Sequence, residues 1–112
     1  MQMEFREALI TGGQALGVEI REDMLDLFGL HYEALMEFGR QTNLTSIEGK
    51  EEVAVKHFLD SLTCSKAIEI KDNWDVVDIG TGAGFPGVPL KVERPSLALT
   101  LLESSQKRVR FL

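Results

Sequence analysis

A short apolar run that enters a glycine-rich loop places the strongest constraint on how this chain folds. Residues 74–79 (WDVVDI) lead directly into a loop with glycine at positions 80, 82 and 84. Such a run is typical of a buried parallel strand. Residues 86–93 predict a helix with proline at an early position, and residues 97–102 predict a second apolar strand. The pattern therefore predicts a β-α-β unit.

The residues before this unit predict helices. Phe5, Leu9 and Ile10 form a short apolar stripe that we expect the Gly12-Gly13 pair to terminate. A longer amphipathic helix is predicted from Arg21 to about Gly39. Its apolar face is predicted to comprise Met24, Leu27, Phe28, His31, Leu35 and Phe38. We interpret His31 as a packing residue rather than a ligand, because it lies on this apolar face.

The third predicted helix extends from about Lys50 to Ala67, after a loop at residues 43–47. We therefore expect an N-terminal helical region over residues 1–67 and the start of an α/β domain over residues 68–112. Ser104 or Ser105 is expected to cap a further helix at the end of the chain. An open parallel sheet needs more than two strands to cover its faces, so we expect the α/β domain to continue beyond residue 112.

Composition and charge narrow the class of protein. The net charge is −6, and it is uneven, with −7 in residues 1–60 and +1 in residues 61–112. This is not the polycationic surface of a typical nucleic-acid-binding domain. No apolar run approaches the roughly 20 residues that cross a bilayer. The single cysteine, Cys64, has no disulfide partner in the chain and is predicted to be a small buried residue of a cytoplasmic protein without membrane association.

The loop and a later acid predict a site for an adenosine-type ligand. Glycines allow a sharp turn and let a ligand lie against the backbone without Cβ atoms in the way. Glu103 follows the second predicted strand. In open α/β sheets an acid at that position can bond the hydroxyls of a ribose that lies across the strand ends.

Two cofactor classes fit such a unit. Residues 82–87 match the dinucleotide pattern G-x-G-x-x-G by letter, which would indicate a nicotinamide-dependent oxidoreductase. Pro86, however, removes one amide from the region that would face a diphosphate. Asp78 would also place a negative charge near it. The same charge suits the ammonium and sulfonium of S-adenosylmethionine, so electrostatics favours the methyl donor.

Four separated motifs carry a family resemblance. Residues 78–84 (DIGTGAG) resemble the first motif of class I methyltransferases, and Glu103 stands where that class keeps its ribose acid. The more specific segments are residues 43–47 (NLTSI), 56–62 (KHFLDSL), 84–90 (GFPGVPL) and 101–112 (LLESSQKRVRFL). Together they resemble the glucose-inhibited division protein B (GidB) family.

The resemblance implies a class I, Rossmann-like S-adenosylmethionine-dependent methyltransferase fold, truncated here after the second strand and preceded by the helical region. It implies methyl transfer to guanine N7 in 16S ribosomal RNA, with the RNA or a ribosomal particle as partner. The implied cofactor-binding residues are Asp78, Gly80, Gly82, Phe85, Glu103, Ser104 and Ser105. Because the family continues well past residue 112, we expect the chain alone to be inactive and to bind the donor weakly or not at all.

The sequence identifies the residues that would contact the acceptor base less specifically than those that would bind the cofactor. His57 and Asp60 lie three apart on one predicted helix and are candidates for touching the acceptor base or bracing the pocket. The alternative is that Asp60 caps or pairs locally while His57 packs. No metal is expected, because two histidines and one cysteine lack ligand spacing. A non-catalytic interaction protein is the third functional alternative, against which the glycine loop and Glu103 argue.

Overall fold

The computed structural model describes residues 3–42 and 50–112, which belong to two compact units. The units are Met1–Leu59 and Asp60–Leu112, so their boundary falls inside the third helix, α3 (Lys50–Ala67). That helix has the bounds predicted for it. The predicted loop at residues 43–47 lies outside the described residues. The division of the protein into regions at residues 67 and 68 stays a prediction.

The first helix, α1 (Met3–Leu16), runs through Gly12 and Gly13, so the expectation that this pair ends the helix is wrong. A Cβ atom on Gly12 would lie 2.3 Å from Leu59 Cδ1. Glycine at this position therefore permits a close approach between helices instead of breaking one.

The helix ends at Gly17 instead, in a Schellman motif. Gly17 has a φ of 72°, its N–H donates to the carbonyl of Gln14 (3.2 Å), and the N–H of Val18 donates to that of Gly13 (2.8 Å). The side chain of Val18, which follows the cap, is buried.

The second helix, α2 (Glu22–Thr42), continues past the predicted end at Gly39. Its buried face differs on one side from the predicted stripe. Leu27 is 46% exposed and Leu25 is buried in its place. The face is turned this way because Tyr32, which lies on the Leu25 side of the helix, stacks on Phe5 of α1 with ring centroids 4.5 Å apart.

Phe58 of α3 is the centre of the first unit's core. Its ring lies 5.8 Å from that of Phe5 and 4.9 Å from that of Phe28. The ring of His31 meets it edge-on at 5.2 Å, which confirms the interpretation of His31 as a packing residue. The fully buried apolar side chains described in this unit are those of Phe5, Leu9, Met24, Leu25, Phe28, Ala54 and Phe58.

The second unit contains the predicted β-α-β arrangement. Strand β1 (Asp75–Ile79) is followed by α4 (Gly87–Glu93), β2 (Ala98–Leu102) and the short helix α5 (Gln106–Phe111). The strands pair in parallel, and the register places Ile79 opposite Leu102. A buried cluster consists of Ile70, Leu90 and Leu97, with Cys64 and Val76 packed against it. Cys64, predicted to be buried, is half-buried.

The two faces of this sheet differ in exposure. The covered face carries Val76, Asp78, Leu99 and Leu101, all half-buried. The open face carries Val77, Ile79, Ala98, Thr100 and Leu102, all exposed. The fold is therefore α/β, with helices followed by a two-stranded parallel sheet. Among the described residues, no helix is both long and apolar enough to cross a membrane.

Candidate cofactor site

The glycine loop turns over the carboxyl end of β2. The N–H groups of Gly80 and Thr81 both donate to the carbonyl of Leu102, at 2.8 and 3.1 Å. The N–H groups of Gly84 and Phe85 then donate back to the carbonyl of Thr81, at 3.1 and 3.2 Å. The loop is thus held by backbone hydrogen bonds between the end of β1 and the start of α4.

Gly80 and Gly82 adopt φ angles of 70° and 62°. A side chain at either position would be strained, because this left-handed region suits glycine. A Cβ atom there would nevertheless meet nothing within 4 Å. The backbone conformation requires glycine at both positions, and the space beside the loop is open to a ligand.

Glu103 joins the loop to the start of α5. Its Oε1 accepts a hydrogen bond from the N–H of Gly82 (2.8 Å), and its Oε2 accepts one from the N–H of Ser105 (2.9 Å). These two backbone hydrogen bonds, that of Ser105 first and that of Gly82 next, lower the pKa of the Glu103 carboxyl below its usual value. Glu103 is therefore a charged acceptor at neutral pH.

Asp78, at the end of β1, makes a second set of bonds to the loop. Its Oδ2 accepts from the hydroxyl of Thr81 (2.6 Å) and from the N–H of Gly87 (2.9 Å). Thr81 is only 3% exposed. The Asp78 carboxylate, whose charge was predicted to favour a cationic ligand, is thus hydrogen-bonded to the loop and to the first residue of α4. Direct contact between Asp78 and a ligand stays a prediction.

An open pocket of about 380 Å³ lies at the carboxyl ends of the two strands, a size within the range of small-molecule sites. Its lining residues are Ile79, Gly80, Leu102, Glu103 and Ser104. Three of these were predicted as cofactor-binding residues. Ile79 and Leu102 were not predicted. The strand register places both side chains on the open face of the sheet, at its carboxyl end.

Three further predicted cofactor residues, Gly82, Phe85 and Ser105, are not among the pocket's lining residues. Gly82 is bonded to Glu103 as described, and Phe85 is half-buried. The hydroxyl of Ser105 accepts from the N–H of Arg108 (3.4 Å) and caps α5, one of the two caps expected from the sequence. The cofactor-binding role of these residues stays a prediction.

The substrate-side candidates are both exposed on α3. His57 belongs to the first compact unit and Asp60 to the second. The carbonyl of Asp60 accepts the hydroxyl of Thr63, and Asp60 is not among the pocket's lining residues. Within residues 3–42 and 50–112, no group of three or more His, Cys, Asp or Glu side chains could hold a metal ion.

Comparison with known proteins identifies the family. The GidB family, described as rRNA small subunit methyltransferase G, matches residues 24–112. A protein of Pelotomaculum thermopropionicum named Ribosomal RNA small subunit methyltransferase G is 47% identical over 106 residues, 95% of this chain and 44% of the relative. A protein of the same name from Caldanaerobacter subterraneus is 46% identical over 112 residues, all of this chain and 47% of the relative.

The chain thus spans less than half the length of these curated relatives. Their shared name gives no support to the nicotinamide oxidoreductase alternative or to the non-catalytic alternative. The glycine loop, Glu103 and most of α2 all fall within the matched residues.

Proposed function

This chain belongs to the GidB family, and we propose that it supplies the donor-binding part of an enzyme that methylates guanine N7 in 16S ribosomal RNA with S-adenosylmethionine. The observation that supports this most directly is the pairing of the glycine loop with Glu103 at one open pocket. The loop offers backbone free of Cβ atoms, and Glu103 offers a fixed negative charge beside it.

The residues present fit an adenosine-type ligand. Glu103 already accepts two backbone N–H groups, and a carboxylate has further lone pairs that can accept from ribose hydroxyls. The apolar side chains of Ile79 and Leu102 offer a surface on which flat, weakly polar groups can pack. Gly80 leaves room for a ligand to approach the main chain.

S-adenosylmethionine supplies an activated methyl group when bound. The acceptor, guanine N7, exposes a lone pair, so the enzyme has no need to remove a proton before methyl transfer. The protein's task is to align the two reactants and to exclude water. Exposed His57 and Asp60 are our candidates for hydrogen bonds to the base or for bracing the pocket.

The same proposal extends to the whole protein. We assign it the class I, Rossmann-like methyltransferase fold, in which residues 68–112 begin the α/β domain and residues 1–67 form a preceding helical region. Its partner is ribosomal RNA or a ribosomal particle, and its place is the cytoplasm. Lys107, Arg108 and Arg110 of α5 are exposed and could meet RNA phosphates.

A chimera tests the proposal without requiring that this chain act alone. In the Pelotomaculum relative, the aligned stretch is replaced by the matching 106 residues of this chain. Transfer of labelled methyl from S-adenosylmethionine to unmethylated small-subunit RNA is then measured. Cleavage at N7-methylguanine identifies the modified atom. We expect transfer by the chimera.

Two variants of the chimera locate the donor site. Glu103→Gln removes the charge that faces the pocket, so we expect it to reduce transfer strongly. Glu69→Gln makes the same charge change at an exposed residue outside the pocket lining and serves as the matched control. Equal activity of the two variants would refute the assigned role of Glu103, and methylation at another atom would refute the N7 assignment.

A further inference from the structure

One carboxylate oxygen connects three parts of the second unit. Oδ2 of Asp78 lies at the end of β1 and accepts hydrogen bonds from the Thr81 hydroxyl in the loop and from the Gly87 N–H at the start of α4. The hydroxyl bond, at 2.6 Å, has the short length expected of a charged acceptor, and the amide bond, at 2.9 Å, has the ordinary length of a backbone hydrogen bond. We refer to Asp78, Thr81 and Gly87 as the loop clasp.

The clasp has a steric requirement at Gly87. A Cβ atom on that residue would lie 2.9 Å from Asp78 Oδ2 and 2.9 Å from Leu101 Cδ2. Glycine is needed here because the carboxylate occupies the space that a side chain would fill. This differs from Gly80 and Gly82, where the corresponding space is open. Gly80 and Gly82 thus face open space, whereas Gly87 accommodates an internal carboxylate.

The clasp also fixes the residue between the ligand-facing glycines. Thr81 separates Gly80 from Gly82, and its side chain is almost completely buried. Its carbonyl accepts the N–H groups of Gly84 and Phe85, so its position determines the turn that follows. A shift of Thr81 would move both neighbouring glycines, and with them the N–H that binds Glu103.

We propose that Asp78 is a positioning residue, whose carboxylate sets the shape of the ligand-facing glycine loop through the Thr81 hydroxyl and the Gly87 amide. The part of this inference that concerns affinity rests on the proposed donor-binding function. The part that concerns loop shape does not.

Thr81 offers a sharper test than Asp78, because a change at Asp78 would alter the charge near the pocket as well as the clasp. Thr81→Val keeps the shape of the side chain and removes its hydroxyl, whereas Thr81→Ser keeps the hydroxyl. Leu97→Val, in the buried cluster, is the control for a loss of stability that leaves the clasp untouched. Gly87→Ala is the second variant, which displaces the carboxylate by contact.

The first measurement needs no ligand. Amide resonances of Gly80, Gly82 and Gly84 are followed by NMR in the isotopically labelled chain. We expect Thr81→Val and Gly87→Ala to move them, Thr81→Ser to leave them close to wild type, and Leu97→Val to leave them unmoved. Unchanged glycine resonances in Thr81→Val would overturn the proposal.

The second measurement is donor affinity, by calorimetry with S-adenosylmethionine on the chimera with the Pelotomaculum relative. In Thr81→Val the donor must order a loop that the lost hydrogen bond no longer holds, so we expect binding about tenfold weaker, with rescue by Thr81→Ser. Equal affinity of the two variants would overturn the positioning role even if the resonances move. Absence of donor binding by the unmodified chimera would instead reject the proposed function, and the NMR result alone would then decide whether the clasp shapes the loop.

Discussion

The two faces of the sheet formed by β1 and β2 are made of similar residues in different surroundings. On the covered face, Val76 packs against the buried cluster and Asp78 bonds to Thr81 and Gly87. On the open face, Val77 and Ile79 are 55% and 79% exposed. The comparison separates two tasks. The covered face supplies stability and holds the loop in shape, and the open face, with the pocket at its carboxyl end, is where a ligand can bind.

The largest effect predicted from this comparison is at Leu97, which is 1% exposed beside the covered face. Leu97→Ala leaves a cavity in the cluster, so we expect the free energy of unfolding to fall by about 2–5 kcal/mol in urea denaturation. Leu102→Ala, on the open face, is the matched control and should cost less than about 1 kcal/mol, because that side chain is half in solvent. Equal losses of unfolding free energy in the two variants would contradict the claim that the covered face supplies more of the stability.

Gly87→Ala should have the next largest effect. The added methyl group must displace the Asp78 carboxylate and Leu101, and overpacking of this kind costs about 1–3 kcal/mol. Gly80→Ala meets no atoms and should cost about 1–2 kcal/mol from its positive φ alone. Urea denaturation gives both values. If the clash is with the Asp78 carboxylate, the double variant with Asp78→Ala should lose less unfolding free energy than the sum of the two single variants. Additive losses would contradict that contact.

The pH dependence of stability should carry a contribution from Glu103. Because its hydrogen bonds from Ser105 and Gly82 lower its pKa in the folded protein, its contribution is fully present above the unfolded value of 4.5. That contribution is lost as pH falls through the lower folded pKa. Urea midpoints of wild type and Glu103→Gln, compared from about pH 6 to about pH 3, should converge at the acid end. A difference that grows on acidification would reverse the sign of the assignment.

The smallest effect should be at Ile79. Ile79→Thr keeps a β-branched side chain on the open face, so the free energy of unfolding should change by no more than about 0.5 kcal/mol. Val76→Thr places the same hydroxyl on the covered face. It should cost more, because the hydroxyl would be partly removed from water at that half-buried position. A loss at Ile79 as large as that at Val76 would mean that the open face is packed in solution.

Sequence reasoning succeeded where local chemistry is decisive. The change from helical to strand periodicity at residue 74 located β1, and the spacing of the glycines and Glu103 singled out two residues that line the pocket, Gly80 and Glu103. Ser104 was implied only by the family resemblance. The bounds of α3 also followed from helical periodicity alone. The helix and the strand depend on near neighbours in the chain, and the position of Glu103 follows from the regular spacing of a β-α-β unit, which is why one sequence suffices to predict them.

The wrong predictions, the end of α1 and the buried face of α2, concern features that depend on contacts with residues distant in the chain. Gly12 was predicted to end α1, but it lies within the helix, where the absence of a Cβ atom lets Leu59 pack closely. The helix ends at Gly17 instead. The stacking of Tyr32 on Phe5 turned α2 toward Leu25. The hydrogen bonds from Thr81 and Gly87 to Asp78 could not be predicted from the sequence either, because they form only in the folded loop, and direct contact between Asp78 and a ligand stays a prediction.

The most direct test of the central claim is calorimetry of the chimera with the Pelotomaculum relative, with S-adenosylmethionine and NAD titrated separately. The account predicts binding of S-adenosylmethionine, no detectable binding of NAD, a large loss of donor affinity in Glu103→Gln and none in Glu69→Gln. Binding of NAD without S-adenosylmethionine, or donor binding that is unaffected by Glu103→Gln, would contradict it.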